Sequence, residues 1–166
     1  MRKLLLVAAC LLALASAAMA QDKIDSKWHG AKATAMHQFD VGDVADHSYQ
    51  IAQGTCDATS SSAGEKSGAY TEFDELWKAS YTGHGRFNVK TDDGDTVYYT
   101  YETTGAADVK KPASNKFKIV GGTGKHKGIK GSGTCSGTRH EDESSDWTCT
   151  GSYSMGEATG GEKPKS

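Results

Sequence analysis

The sequence predicts an all-β domain, an antiparallel barrel or sandwich, and three observations carry that prediction. Apolar side chains recur at every second position in one run after another, the mark of strands with one buried and one wet face. Glycine-rich and polar turn signals separate these runs at short spacing. No segment of twelve residues or more carries a 3.6-residue repeat, so the crossover helices of a parallel sheet are missing from the pattern.

Taken in order, "HSYQIAQGTC" (47–56) sets His47, Tyr49, Ile51 and Gln53 on one face, and "GAYTEFDELW" (68–77) reads as a strand bending into the next. Phe87 and Val89 alternate with Arg86, Asn88 and Lys90. Val97, Tyr99 and Tyr101 alternate with Thr96, Tyr98, Thr100 and Glu102, and Phe117 and Ile119 alternate with Lys116 and Lys118. Ile129, Gly131, Gly133 and Cys135 share one face; Trp147, Cys149, Gly151, Tyr153 and Met155 share another. Asp93-Gly94 in "TDDGD" is a two-residue hairpin signal. "ATSSSAGEKSG" (58–68) reads as a serine-rich loop, and "GAADVKKPASN" (105–115) as a longer one holding a proline.

The two ends read differently. Arg2 and Lys3, the apolar run that follows and Ala18-Met19-Ala20 form a secretory signal peptide over residues 1–20. Cys10 in "LVAAC" loosely matches a lipoprotein processing site, but the apolar run continues well past it, which favours cleavage before Gln21. No later segment approaches the roughly 20 apolar residues of a membrane helix. The expected product is periplasmic or extracellular, without membrane contact once the signal is removed. Its 146 residues suit one domain. Removing two positive charges takes the formal charge from −2 to −4, and without a polybasic stretch nucleic acid is not an expected partner. Residues 21–32 read as a flexible lead-in, 33–155 as the β domain and 156–166 as a disordered tail.

Three cysteines remain: Cys56, Cys135 and Cys149. In an oxidising compartment an odd count implies one bridge and one leftover thiol. Cys135 and Cys149 lie symmetrically about Asp142, and residues so placed face each other across a hairpin ladder with β-carbons about 5 Å apart. They are expected to be bridged, leaving Cys56 as the free thiol. With no His or Lys close in sequence to lower its pKa, Cys56 reads as a small buried apolar side chain rather than a reactive group.

One stretch, "FKIVGGTGKHKG" (117–128), begins like a phosphate-binding loop. A Walker loop needs a glycine five before Gly124 and a hydroxyl after Lys125; Ile119 and His126 stand there instead. A dinucleotide fingerprint needs a helix to follow, and Gly128, Gly131, Gly133 and Gly137 would each cost such a helix about 1 kcal/mol. The glycines instead suit a strand that turns sharply and returns, as at a barrel corner.

The same residues carry a resemblance. "GGTGKHKGIKGSGT", with Asp93-Gly94-Asp95 upstream, resembles the barrel-closing turn and return strand of the allene oxide cyclase-like and dirigent-like family, closest to its small exported bacterial members. His126 takes a common aromatic position and Cys135 a common Tyr position. The match is specific over 117–134 and loose over 47–155. It implies a single antiparallel eight-stranded β-barrel, calycin-like in architecture, with little or no helix and an interior cavity, and a homo-oligomer, a trimer among plant members. Catalytic residues do not carry over.

For a ligand cavity, Phe87, Tyr99, Tyr101, Trp147 and Tyr153 are the candidate lining, with Glu102 or His84 as an acid or base. None of the six histidines shows H-x-H or H-E-x-x-H spacing, no C-x-x-C is present, and "DDGD" lacks the calcium-loop arrangement, so no metal or cofactor is expected. The function expected is binding of a small apolar or aromatic molecule in the barrel, or a structural exported role. The rival is an isomerase, cyclase or dirigent-like enzyme that folds a flexible substrate in the cavity and excludes water. A cavity holding a charged group of shifted pKa favours the enzyme, an open apolar one the binder, and a filled barrel the structural module.

Overall fold

The computed structural model describes residues 21–156. The expected signal peptide and residues 157–166 of the expected tail lie outside the described residues. The chain forms nine antiparallel strands: β1 (Asp22–Gly30), β2 (Ala35–Asp40), β3 (His47–Ser61), β4 (Glu65–Trp77), β5 (Ser80–Thr91), β6 (Thr96–Ala106), β7 (Ala113–Gly122), β8 (Lys130–Arg139) and β9 (Ser145–Ser154). Eight of them close a barrel in the order β1-β9-β8-β7-β6-β5-β4-β3, sealed by pairing of β1 with β3. β2 is an extra strand, laid along the first half of β3 beyond the end of β1. Among the described residues the one helical piece is a 3-10 turn at Gly124–His126, and no helix is long and apolar enough to cross a membrane.

The alternation read from the sequence sets which side faces inward. Val89, Val97, Ile119 and Ile129 are buried at one end of the barrel, with Ile24 beside them. His47, Tyr49, Ile51 and Gln53 share the outer face of β3; Gln50, Ala52, Gly54 and Cys56 face in.

Three expectations are corrected. Residues 22–30 are not a lead-in but β1, the strand that closes the barrel between β9 and β3. Its period of two was hidden because Ser26 and Gly30 share the inward face with Ile24 and Trp28. The serine-rich loop shrinks to a turn at 62–64, since β3 and β4 run through most of it. Small polar residues suit the outer face of a ladder as well as a loop. The second loop likewise spans only 107–112, because β7 begins at Ala113.

Inward aromatic rings lie opposite glycines. Tyr70 pairs with Gly54, Tyr101 with Gly85, Phe117 with Gly133 and Trp147 with Gly137. A Cβ at any of these glycines would collide with the ring facing it. The ring thus lies flat against the neighbouring strand instead of reaching across the barrel. An eight-stranded barrel is just wide enough for side chains to fill, so this stacking keeps its middle open.

The barrel corner is a self-contained lock. Gly124 takes φ 47° and Gly128 φ 80°, the left-handed region glycine allows. The Lys125 amide donates to Asp95 Oδ2 at 2.9 Å and the Thr123 hydroxyl to Asp95 Oδ1 at 3.2 Å. The loop that looked like a phosphate cradle already holds an anion, the carboxylate of the Asp93-Gly94-Asp95 hairpin.

Candidate functional site: a cavity with an acidic collar

The barrel encloses a cavity of about 720 Å3. The apolar cluster around Val89 and Ile119 closes one end. The other opens among the connections β1–β2, β4–β5, β6–β7 and β8–β9, where Ala33, Lys78, Val109 and Glu143 border it.

The deeper wall is aromatic. Trp28 meets Phe87 edge-on with ring centres 5.1 Å apart, and Tyr99 meets Phe117 in the same way at 5.7 Å. The Tyr99 hydroxyl donates to Glu65 Oε1 at 2.5 Å, which satisfies a carboxylate buried near the closed end. Cys135 and Cys149 pair across β8 and β9 as a disulfide on the inner wall, with Cα atoms 4.0 Å apart. Cys56 is the free cysteine among the described residues, and burial pushes its thiol up to about 11, which keeps it protonated and unreactive.

Nearer the mouth the lining turns polar. Tyr70, Glu72 and Asp74 project inward from β4 at alternate positions and meet Tyr101 from β6 and Arg139 from β8. Asp74 is 6% exposed. Burial, reinforced by the charge of Glu72, pushes its carboxyl up to about 8 despite the opposing pull of Arg139. Burial and the same Glu72 charge also raise the Tyr101 phenol. Gln50 Nε2 donates weakly to Asp74 Oδ2 at 3.4 Å, while Asp74 Oδ1 has no partner among the described residues. Asn115 Oδ1 and Arg139 Nε, also on the wall, are equally unpartnered. Such a group can bind a polar head, or give and take a proton near neutral pH.

Of the expected lining, the structure brings Phe87, Tyr99, Tyr101 and Trp147 together on the cavity wall. Three residues are corrected. Glu102 is exposed on the outer face because it alternates with Tyr101, and it pairs with His84, also outside. Tyr153 faces inward but packs into the apolar cluster at the closed end, below the cavity. Glu72, Asp74 and Arg139 were missed. In "YTEFDEL" Glu72 and Asp74 share the inward face with Tyr70 and Leu76 while Phe73 points out, opposite to the usual pattern.

Two further titratable groups lie outside the cavity. His47 is buried, with Nδ1 2.7 Å from Asp43 and Nε2 3.0 Å from Glu75, its ring 4.2 Å from that of Trp77. Asp93, Asp95 and His126 offer ligand atoms within 4.8 Å of one another. Both carboxylates there already accept from Thr91, Thr123 and backbone amides, which makes the group the fastening of the barrel corner. No protein-family model matches the chain, and no curated protein matches it.

Proposed function

We propose that the barrel is a container for one small organic molecule with a largely aromatic or apolar body and a polar head. The observation that carries this reading is the cavity itself: about 720 Å3, open at one end, aromatic below and polar above. That volume lies within the range of small-molecule sites, as does the mixture of apolar wall and a few polar groups. The open interior also favours a container over a solid structural module. The eight-stranded antiparallel closure supports membership of the allene oxide cyclase-like and dirigent-like group, which the "GGTGKHKGIKGSGT" turn resembles. The Cys135–Cys149 bridge supports export to an oxidising compartment.

Native mass spectrometry against a panel of neutral bicyclic aromatic alcohols tests the reading. One-to-one adducts that compete with each other are expected. A folded chain that forms none of them contradicts it.

A second reading is an enzyme that moves a proton on a bound substrate, and Asp74 favours it. A buried carboxyl titrating near neutral pH on the cavity wall is suited to general acid–base work. That reading expects Asp74→Asn to retain ligand binding and lose turnover.

A further inference from the structure

The collar and mouth hold more acidic side chains than basic ones. Glu72 and Asp74 line the collar, and Glu141 and Glu143 stand at its mouth. Against them the wall offers Arg139 and Lys78. Glu143 has its own partner, Lys32, at 2.9 Å. Arg139 is committed elsewhere: its guanidinium lies over the Tyr81 ring at 4.9 Å and donates to the Ala106 carbonyl. It makes no ion pair with Glu72 or Asp74. Two buried acceptors on the wall, Asp74 Oδ1 and Asn115 Oδ1, have no donor among the described residues. A buried acceptor without a donor is costly and is relieved by a ligand that supplies one. The rings of Tyr70, Tyr81 and Tyr101 surround the same space, and aromatic faces attract cations.

We propose that the ligand is an organic cation: a protonated amine on an aromatic or alicyclic body, its ammonium held in the collar by Asp74 and Glu72 and its body against Trp28, Phe87 and Phe117. This rests on the container reading and names the ligand class of that cavity. The groups facing Asp74 are Tyr70 and Glu72 on its own strand, Gln50 on β3, Tyr81 on β5, Tyr101 on β6 and Arg139 on β8. Of these only Arg139 opposes a cation; its guanidinium is stacked over Tyr81 and makes no ion pair with Asp74, although its charge reaches that carboxyl. Below pH 8 the Asp74 carboxyl is largely protonated, so an arriving ammonium displaces that proton to solvent and affinity rises as pH climbs from 6 to 8.5.

Calorimetry with three probes of one shape tests the proposal: 2-naphthylmethylamine, 2-naphthylmethanol and 2-naphthoate at pH 7. The amine is expected to bind about tenfold or more tighter than the alcohol, with the carboxylate weakest. The heat of amine binding should vary with the ionisation enthalpy of the buffer, reporting the released proton. In Asp74→Asn the amine's advantage should fall to about twofold and the buffer dependence vanish. Should that variant fold poorly, Glu72→Gln and the buffer dependence of the unaltered protein decide the question. Equal affinity for amine and alcohol, or preference for the carboxylate, overturns the cation proposal and leaves the container reading standing. Failure of the folded protein to bind any of the three overturns both.

Discussion

Tyr101 lies flat against Gly85, its direct cross-strand partner, so that a Cβ on Gly85 would run into the phenol ring. The same relation links Phe117 to Gly133 and Trp147 to Gly137, and it connects sequence to function. Glycine weakens a strand, by loss of side-chain packing and by backbone entropy. Here it leaves room for a ring that would otherwise occupy the cavity.

Gly85→Ala is therefore expected to destabilise the barrel by about 1–3 kcal/mol through overpacking. Gly121 sits on the same sheet with its nearest neighbour, Tyr98 Cδ2, 3.9 Å from a built Cβ. Gly121→Ala should change stability by less than about 0.5 kcal/mol. Urea midpoints of the two variants check the contrast, and equal losses would remove the steric explanation.

Asp74 gives stability a definite pH dependence. Its folded carboxyl is raised to about 8 from an ordinary 3.8, so between these values the folded state holds a proton that the unfolded state has lost. Stability from this group is therefore greatest in acid, falls as pH rises from 4 to 8 and then levels off. Asp74→Asn should remove that slope and stabilise the protein at pH 8.5, on the order of 1–2 kcal/mol. Chemical denaturation at pH 5, 7 and 8.5 reads this directly. A variant less stable at pH 8.5 would show that the carboxylate is satisfied there.

His47 acts in the same sense, but for a different reason. Burial disfavours its charged form, but the hydrogen bonds to Asp43 and Glu75 outweigh that and raise its pKa above 6.5. Its contribution is fully present below pH 6.5 and is lost as pH climbs through the raised value. A proton NMR titration of the His47 ring should give a midpoint above 6.5 that drops in Glu75→Gln. A midpoint below 6.5 would mean that burial dominates.

The cysteines separate cleanly. Iodoacetamide at pH 8 should label the folded chain slowly at Cys56, whose thiol is raised to about 11, and leave Cys135 and Cys149 untouched. Reducing the bridge, which closes a loop of sequence separation 14, should cost about 2–4 kcal/mol. Labelling at Cys135 without reductant would contradict the pairing.

Much of the barrel was legible because its inner face is apolar where the period is clearest. Val97, Tyr99 and Tyr101 fixed β6, and Cys135 and Cys149 fixed the register of the last hairpin. The legible part of the cavity wall was aromatic for the same reason. What stayed hidden were inward positions that are not apolar. Ser26 and Gly30 disguised β1, and Glu72 and Asp74 disguised both the inward face of β4 and the collar itself. Alternation alone assigns polar residues to water, and only closure of the barrel shows that these face one another across a cavity.

The three tryptophans offer the most direct measurement of the central claim. Trp28 and Trp147 line the cavity, whereas Trp77 lies outside at 41% exposure, packed on His47. The Trp28 indole donates to Ser26 Oγ at 3.1 Å and the Trp147 indole to Ser145 Oγ at 3.0 Å, so each carries a distinct N–H resonance. Titration of the nitrogen-15-labelled protein with 2-naphthylmethanol should move the Trp28 and Trp147 indole signals, saturably and together, while Trp77 stays in place. A saturable shift of Trp77 alone, or no shift of any of the three, would contradict a ligand inside the barrel.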